Sequence, residues 1–280
     1  MSEIRVWVDG TLVDPAAPAV SAVDHGVTVG DGAFETAKID GGVPFAVSRH
    51  LRRLDRTMAG LGLPPADHDR IREGMDAVLA GEPVEFGRLR FTVTGGRGPL
   101  GSDRHDSALT HIVTAVPHAR PGAHGAVVTV PWVRNERAAT AGLKTTSYAD
   151  NVIALAAAKE HGAVEAIFAN TRGELCEATG SNVFVVVDGV VRTPPLSSGC
   201  LAGITRELVL EWCAHEGLAV VEEALPLDVL QRADEVFLTS SIKDVFPVSA
   251  VDGRALPAPG PVTGRVADVW ARHADKGMDP

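Results

Sequence analysis

The chain has 280 residues, 45% hydrophobic and 22% charged, with a formal charge of −10. That balance suits a globular chain with material for a core and offers no basic stripe for a nucleic-acid backbone. No run approaches 18 apolar residues, Met1-Ser2-Glu3-Ile4-Arg5 lacks the apolar stretch of a signal peptide, and three scattered cysteines (Cys176, Cys200, Cys213) make no disulfide framework, so a soluble, reduced, cytoplasmic protein is expected.

Arg5 to Val13 predicts two short strands around the Asp9-Gly10 turn. Ala33–Ile39, the turn Asp40-Gly41-Gly42 and Val43–Val47 predict a second such unit. Leu51, Leu54, Met58 and Leu61 recur three and four residues apart, which predicts a helix over Ser48–Leu61. A helix over Asp67–Leu79 and strands over Gly87–Thr94 and Leu109–Val116 follow. Residues 117–125, with two prolines and two glycines, read as a linker. Beyond it, Val127–Val130, Ala166–Ala169, Val183–Val187 and Val236–Thr239 read as strands. Glu207–Glu216 and Asp150–His161 read as helices, the latter with Val152, Ile153, Leu155 and Ala156 on its buried side. The expected organisation is α+β: a small N-terminal domain (1–116), a linker (117–125) and a larger, barrel-like C-terminal domain (126–280).

No phosphate-binding P-loop, nucleophile elbow or H-E-x-x-H is present, and the ten histidines form no tight carboxylate–His cluster in sequence, so no metal is expected. One lysine stands out. Lys144 lies in Ala141-Gly142-Leu143-Lys144-Thr145-Thr146-Ser147-Tyr148, with no acid within five residues on either side. Small and apolar neighbours disfavour a charged amine and favour a nucleophilic one. Glu177-Ala178-Thr179-Gly180-Ser181-Asn182 leads into an apolar strand. Leu201-Ala202-Gly203-Ile204-Thr205-Arg206 precedes a helix, whose free amides suit an anion. Thr239-Ser240-Ser241 places hydroxyls at a strand end.

Together, Leu143-Lys144-Thr145, Glu177-x-x-x-Ser181-Asn182-x-Phe184, Thr193-Pro194-Pro195, Leu201-x-Gly203-Ile204-Thr205-Arg206, Ala233-Asp234-Glu235-Val236-Phe237 and Pro247-Val248 resemble the class IV aminotransferase family. Gly30-Asp31-Gly32-Ala33-Phe34-Glu35 and Arg49-His50-Leu51-x-Arg53-Leu54 resemble its N-terminal motifs. The resemblance implies a two-domain, fold-type IV enzyme using pyridoxal 5′-phosphate (PLP), acting on a small molecule and usually homodimeric. It implies that Lys144 holds the cofactor through its amine and moves protons, that Glu177 contacts the pyridine nitrogen, and that Arg49 binds the phosphate. It assigns Ile204, Thr205 and Ser241 to the phosphate, Ser181 and Asn182 to the ring side, and Gly203 and Ser240 to cofactor binding. Tyr148 stands four residues after the lysine, where branched-chain members have a tyrosine at five.

Within the family, Thr36 in Phe34-Glu35-Thr36-Ala37-Lys38 resembles the 4-amino-4-deoxychorismate lyases, in which a hydroxyl there would assist departure of the enolpyruvyl group. Phe34 and Thr36 would face substrate, and Arg97, in Thr94-Gly95-Gly96-Arg97-Gly98, would clamp one of its two carboxylates. The implied activity is formation of 4-aminobenzoate and pyruvate, in folate precursor synthesis. The alternative is transamination of D-amino acids or branched-chain L-amino acids. D-amino acid members carry an Arg-x-His trap; Asp103-Arg104-His105 is similar in composition and differs in spacing.

Overall fold

The computed structural model describes residues 4–280; Met1–Glu3, the start of the stretch read above for a signal peptide, lie outside the described residues. The chain divides into two compact units, one of residues up to 120 with 143–147 and 279, the other of 121–142, 148–278 and 280. Residues 143–147 thus group with the first unit, although they fall within the stretch 126–280 expected as the second domain.

The first unit runs β1 (Arg5–Val8), β2 (Thr11–Val13), α1 (His25–Thr28), β3 (Gly32–Asp40), β4 (Val43–Pro44), α2 (Val47–Gly60), α3 (His68–Leu79), β5 (Phe86–Thr94) and β6 (Thr110–Pro117). Its six strands form one sheet in the order β2-β1-β6-β5-β3-β4. Alternation along β3 and β5 turns Ala33, Ala37, Ile39, Leu89, Phe91 and Val93 toward α2 and α3, where Leu51, Leu54, Met58, Ile71, Met75 and Val78 close the core. The Asp67 side chain accepts the Arg70 amide and caps α3. The strand expected over Val43–Val47 is shorter than its apolar run, because the chain turns through Ala46 (φ 57°) and enters α2 at Val47.

The second unit runs β7 (Gly125–Arg134), α4 (Ala149–Glu160), β8 (Glu165–Asn170), β9 (Leu175–Ala178), β10 (Asn182–Val187), β11 (Val190–Thr193), α5 (Ile204–His215), β12 (Val220–Glu222), α6 (Val229–Arg232), β13 (Glu235–Ser240), β14 (Asp244–Val251), β15 (Arg254–Ala255) and α7 (Pro261–Ala274). Its nine-stranded sheet follows the path β12-β11-β10-β13-β14-β7-β8-β9, with β15 pairing off β14, and curls so that β9 returns against β10. The enclosed core is built from residues such as Val127, Ile167, Val183, Val185, Leu238 and Val248.

One sequence expectation is reversed here. Helix α4 buries Asn151, Ala154 and Ala158, while Val152 and Ile153 are 65% and 53% exposed. The helix is apolar on several sides, so periodicity could not choose its inner face. The inner face carries Asn151, whose side-chain amide donates to the Thr179 carbonyl at 2.5 Å, and Ala154 and Ala158, which pack against Val130, Ala166 and Phe168. Among the described residues no helix is long and apolar enough to cross a membrane.

Candidate active site

In the first unit, strand alternation splits β3 into two functional faces. Glu35 points into the core, and Phe34, Thr36 and Lys38 point the other way. The segment 143–147 extends the sheet beside the start of β3. The Phe34 amide donates to the Lys144 carbonyl (3.1 Å), Ala33 bridges Thr145, and the Thr146 amide donates to the Gly32 carbonyl (2.8 Å). The Lys144 amide donates to the Thr57 hydroxyl of α2 at 3.3 Å. Fixed along this length, Lys144 carries its Nζ to 4.5 Å from the Phe34 ring centroid. The Arg90 guanidinium lies 3.7 Å over the same ring. Thr36 is half-buried, and its hydroxyl makes no hydrogen bond among the described residues. Arg49 is half-buried on the first turn of α2.

Directly behind Phe34 sits a sealed ionic cluster that the sequence did not single out. Glu35 is fully buried and accepts the Arg53 Nε and a second Arg53 nitrogen at 2.8 and 2.6 Å, and His50 Nδ1 lies 2.6 Å from its carboxylate. Burial alone pushes the Glu35 carboxyl up, but Arg53 and His50 outweigh it and hold it at about 2. Burial lowers His50, against the pull of Glu35, and the charges of Arg53 and Lys144 lower it further.

Arg97 stands apart from Lys144 in its connections. It lies on an exposed turn whose backbone bridges Asp24, and a side chain at the preceding Gly96 (φ +74°) would strike the Ala108 carbonyl at 1.8 Å. Arg104 is spoken for: its Nε and a second nitrogen meet both Asp31 carboxylate oxygens at 2.6 Å, and it also donates to the Gly62 carbonyl. An arginine so engaged is poorly placed to act as a free carboxylate trap.

In the second unit, Glu177 on β9 is held from two sides. Arg134 Nε donates to one oxygen at 3.1 Å and the Leu201 amide to the other at 2.9 Å, while the side chain stays 13% exposed. Arg134, at the end of β7, lies 4.1 Å over the Phe168 ring. This pairing spans 43 residues, so only an arginine closing the apolar run Val130-Pro131-Trp132-Val133 hinted at it. Asn182 opens β10 opposite Thr239 of β13 and donates to the Leu201 carbonyl at 2.8 Å. Its Oδ1 lies so close to Gly203 that a Cβ there would stand 1.9 Å from it, and Asn182 would have to move to admit one. Gly203 is the N-cap of α5, and no side chain caps the helix; Ile204 and Thr205 follow, both buried. An uncapped helix start reached by glycine is an anion cradle.

Ser181 is committed elsewhere. Its hydroxyl donates at 2.5 Å to buried Glu165, which also accepts the Thr179 hydroxyl, the Gly180 amide and the Lys243 ammonium. That carboxylate fixes the turn ahead of Asn182, and Ser181 serves the turn. Ser240 Oγ accepts the Lys243 amide at 3.3 Å, and Ser241 lies half-buried in the following turn. Tyr148 is half-buried at the N-cap position of α4 without a side-chain capping bond.

Residues 32–251 match the family described as amino-transferase class IV. A putative branched-chain-amino-acid aminotransferase of Methanocaldococcus jannaschii is 32% identical over 259 residues, 90% of either chain. A D-alanine aminotransferase of Bacillus licheniformis is 32% identical over 275 residues, 94% of either chain. Among solved structures, the branched-chain aminotransferase of Thermoproteus uzoniensis with norvaline superposes with a TM-score of 0.88 at 28% identity, covering 97% of this chain and 94% of that one. A hypothetical aminotransferase of Mycobacterium tuberculosis in its PLP-bound form gives 0.83 at 28% identity, covering 95% and 97%. A putative 4-amino-4-deoxychorismate lyase of Legionella pneumophila gives 0.86 at 24% identity over 92% and 97%, a likeness of fold.

Proposed function

We propose, for a chain that belongs to the class IV aminotransferase family, that it is a 4-amino-4-deoxychorismate lyase forming 4-aminobenzoate and pyruvate. The family works with PLP. The residues fit that cofactor: the uncapped start of α5 and the glycine that leads into it suit a phosphate, and Glu177, braced by Arg134 and Leu201, suits a protonated ring nitrogen. When bound, PLP supplies an electron sink for bond breaking next to the substrate amine.

In this reading Lys144 holds the cofactor through its amine and removes the proton from the amine-bearing carbon of the substrate. Glu177 keeps a proton on the ring nitrogen. Arg49, the Ile204 and Thr205 amides, Gly203, the Thr205 hydroxyl, Ser240 and Ser241 bind the phosphate, and Asn182 and Tyr148 support the ring. Ser181 acts one step back, by fixing the turn. Thr36 donates a proton to the departing enolpyruvyl oxygen, Phe34 packs against the substrate ring, and Arg97 pairs with a carboxylate.

The observation that carries the lyase reading is Thr36. Its hydroxyl lies on the β3 face that carries Phe34, ~7 Å further along the strand, and among the described residues it has no hydrogen-bond partner. A transaminase is the second reading, favoured by the 32% identity to relatives named aminotransferases. For a D-amino acid enzyme, the engagement of Arg104 by Asp31 removes the obvious trap.

The test follows 4-aminobenzoate fluorescence from holoenzyme and aminodeoxychorismate with no keto acid added. The lyase gives product rapidly, Lys144→Ala abolishes it, and Thr36→Ala slows it by about 10²-fold. No product, together with bleaching of the cofactor colour by D-alanine or L-leucine, overturns the lyase in favour of the transaminase.

A further inference from the structure

Two helices of the second unit end side by side. Trp212 of α5 packs against Trp270 and His273 of α7, with ring centroids 4.9 and 5.3 Å apart. At that junction the fold brings His273, in the last turn of α7, to His215, the last residue of α5, and to Glu216 next to it. One oxygen of Glu216 lies 2.8 Å from His273 Nε2 and 4.0 Å from His215 Nδ1. One ligand atom from each residue falls within 4.8 Å of the other two. The sequence reading found no tight carboxylate–His cluster because His273 lies 57 residues from Glu216; folding builds one.

We propose that His215, Glu216 and His273 form a binding site for a divalent transition-metal ion, zinc in particular, outside the cofactor apparatus. Two imidazoles and one carboxylate are a borderline donor set of the kind zinc takes, with a fourth position left for water. Ligand atoms around tetrahedral zinc stand about 3.4 Å apart, from bonds of about 2.1 Å. The donors reach that spacing by a modest closing of His215, whose side chain is 73% exposed, and an equally modest opening of the Glu216–His273 pair. The metal takes the lone pair of His273 Nε2, replacing its hydrogen bond to Glu216. Both α5 and α7 present their carbonyl ends here, and helix C-termini favour a cation. Arg272 opposes one, but it sits 3.3 Å from the other Glu216 oxygen with its side chain 55% exposed, which leaves the inner oxygen to the metal.

The twelve residues of α5 separate this cluster from the Gly203 end by about 18 Å. The ion therefore acts as a rivet between α5 and α7. It binds the folded chain in preference to the unfolded one, where the donors are scattered, and so raises thermal stability with concentration.

The experiment uses tag-free holoenzyme stripped with EDTA, titrated with zinc chloride, and followed by bound zinc after dialysis and by Tm. The expected result is one zinc per chain and a Tm that rises with zinc. His215→Ala and Glu216→Gln weaken binding by about tenfold or more, and His215→Ala keeps the zinc-free Tm and turnover of the parent. Absence of stoichiometric binding overturns the proposal. So does undiminished binding by His215→Ala, which would locate the ion on other histidines.

Discussion

Glu35 of the first unit and Glu177 of the second are both strand carboxylates facing an arginine, and their surroundings differ. Glu35 is wholly buried, and every partner it has, Arg53 and His50, lies in the same closed cluster. Glu177 is held by the Arg134 side chain and the Leu201 amide and keeps 13% of its side chain exposed. A carboxylate enclosed by its counter-charges can only hold α2 against β3. One braced from behind and still accessible can meet a ligand. Residue type and an arginine partner do not distinguish the two acids; the exposure left to Glu177 does, and it is what the role proposed for Glu177 requires.

That contrast can be broken by exchanging each acid for its amide. Glu177→Gln should lower turnover by about 10²–10⁴-fold and lower the urea midpoint less than Glu35→Gln does, since the amide oxygen can replace only one of the two bonds to Arg134 and the Leu201 N–H, and both side chains keep some solvent contact. Glu35→Gln should do the reverse. It strands the buried Arg53 and costs about 3–5 kcal/mol of stability, read as a lowered urea midpoint, while the protein that remains folded keeps its cofactor. The same pair sharpens with acid. The folded chain holds the Glu35 carboxyl at about 2, below its value in the unfolded chain, about 4.3. Its stabilisation is therefore complete above the unfolded value and is lost as pH falls toward the folded one. The parent should lose more stability over that window than Glu35→Gln, in urea titrations at successive pH. The smallest effect belongs to Ser181→Ala, which removes one of several donors to Glu165 and should cost about 1.5 kcal/mol, measured as a shift in Tm.

Regular alternation and local caps made the first unit legible. β3, β5 and α2 carry their apolar periods plainly, and Asp67 marks the start of α3 next to the amide it caps. Lys144 and Glu177 stood out because each lies in a short string of unusual neighbours. What stayed hidden depends on partners distant in sequence. The inner face of α4 carries a side chain that reaches Thr179. Helix α7 begins at Pro261 with its second and third amides donating to the carboxylate of Glu235 on β13, a cap 27 and 28 residues away that no local pattern announces. Arg134 escaped the sequence for the same reason, and so did the hydrogen bond by which Ser181 joins Glu165.

The five residues Leu143–Ser147 have a consequence for how the chain comes off the ribosome. The N-terminal 120 residues emerge first, yet their sheet stays open at Gly32–Phe34 until residues 143–147 have also been made and added. Cutting the polypeptide after residue 120 would remove Lys144 and the carbonyl to which the Phe34 amide donates. Residues 143–147 thus complete the sheet edge at the start of β3, and no single continuous length of chain supplies that edge together with β1–β6 without also encoding the opening strand of the other unit.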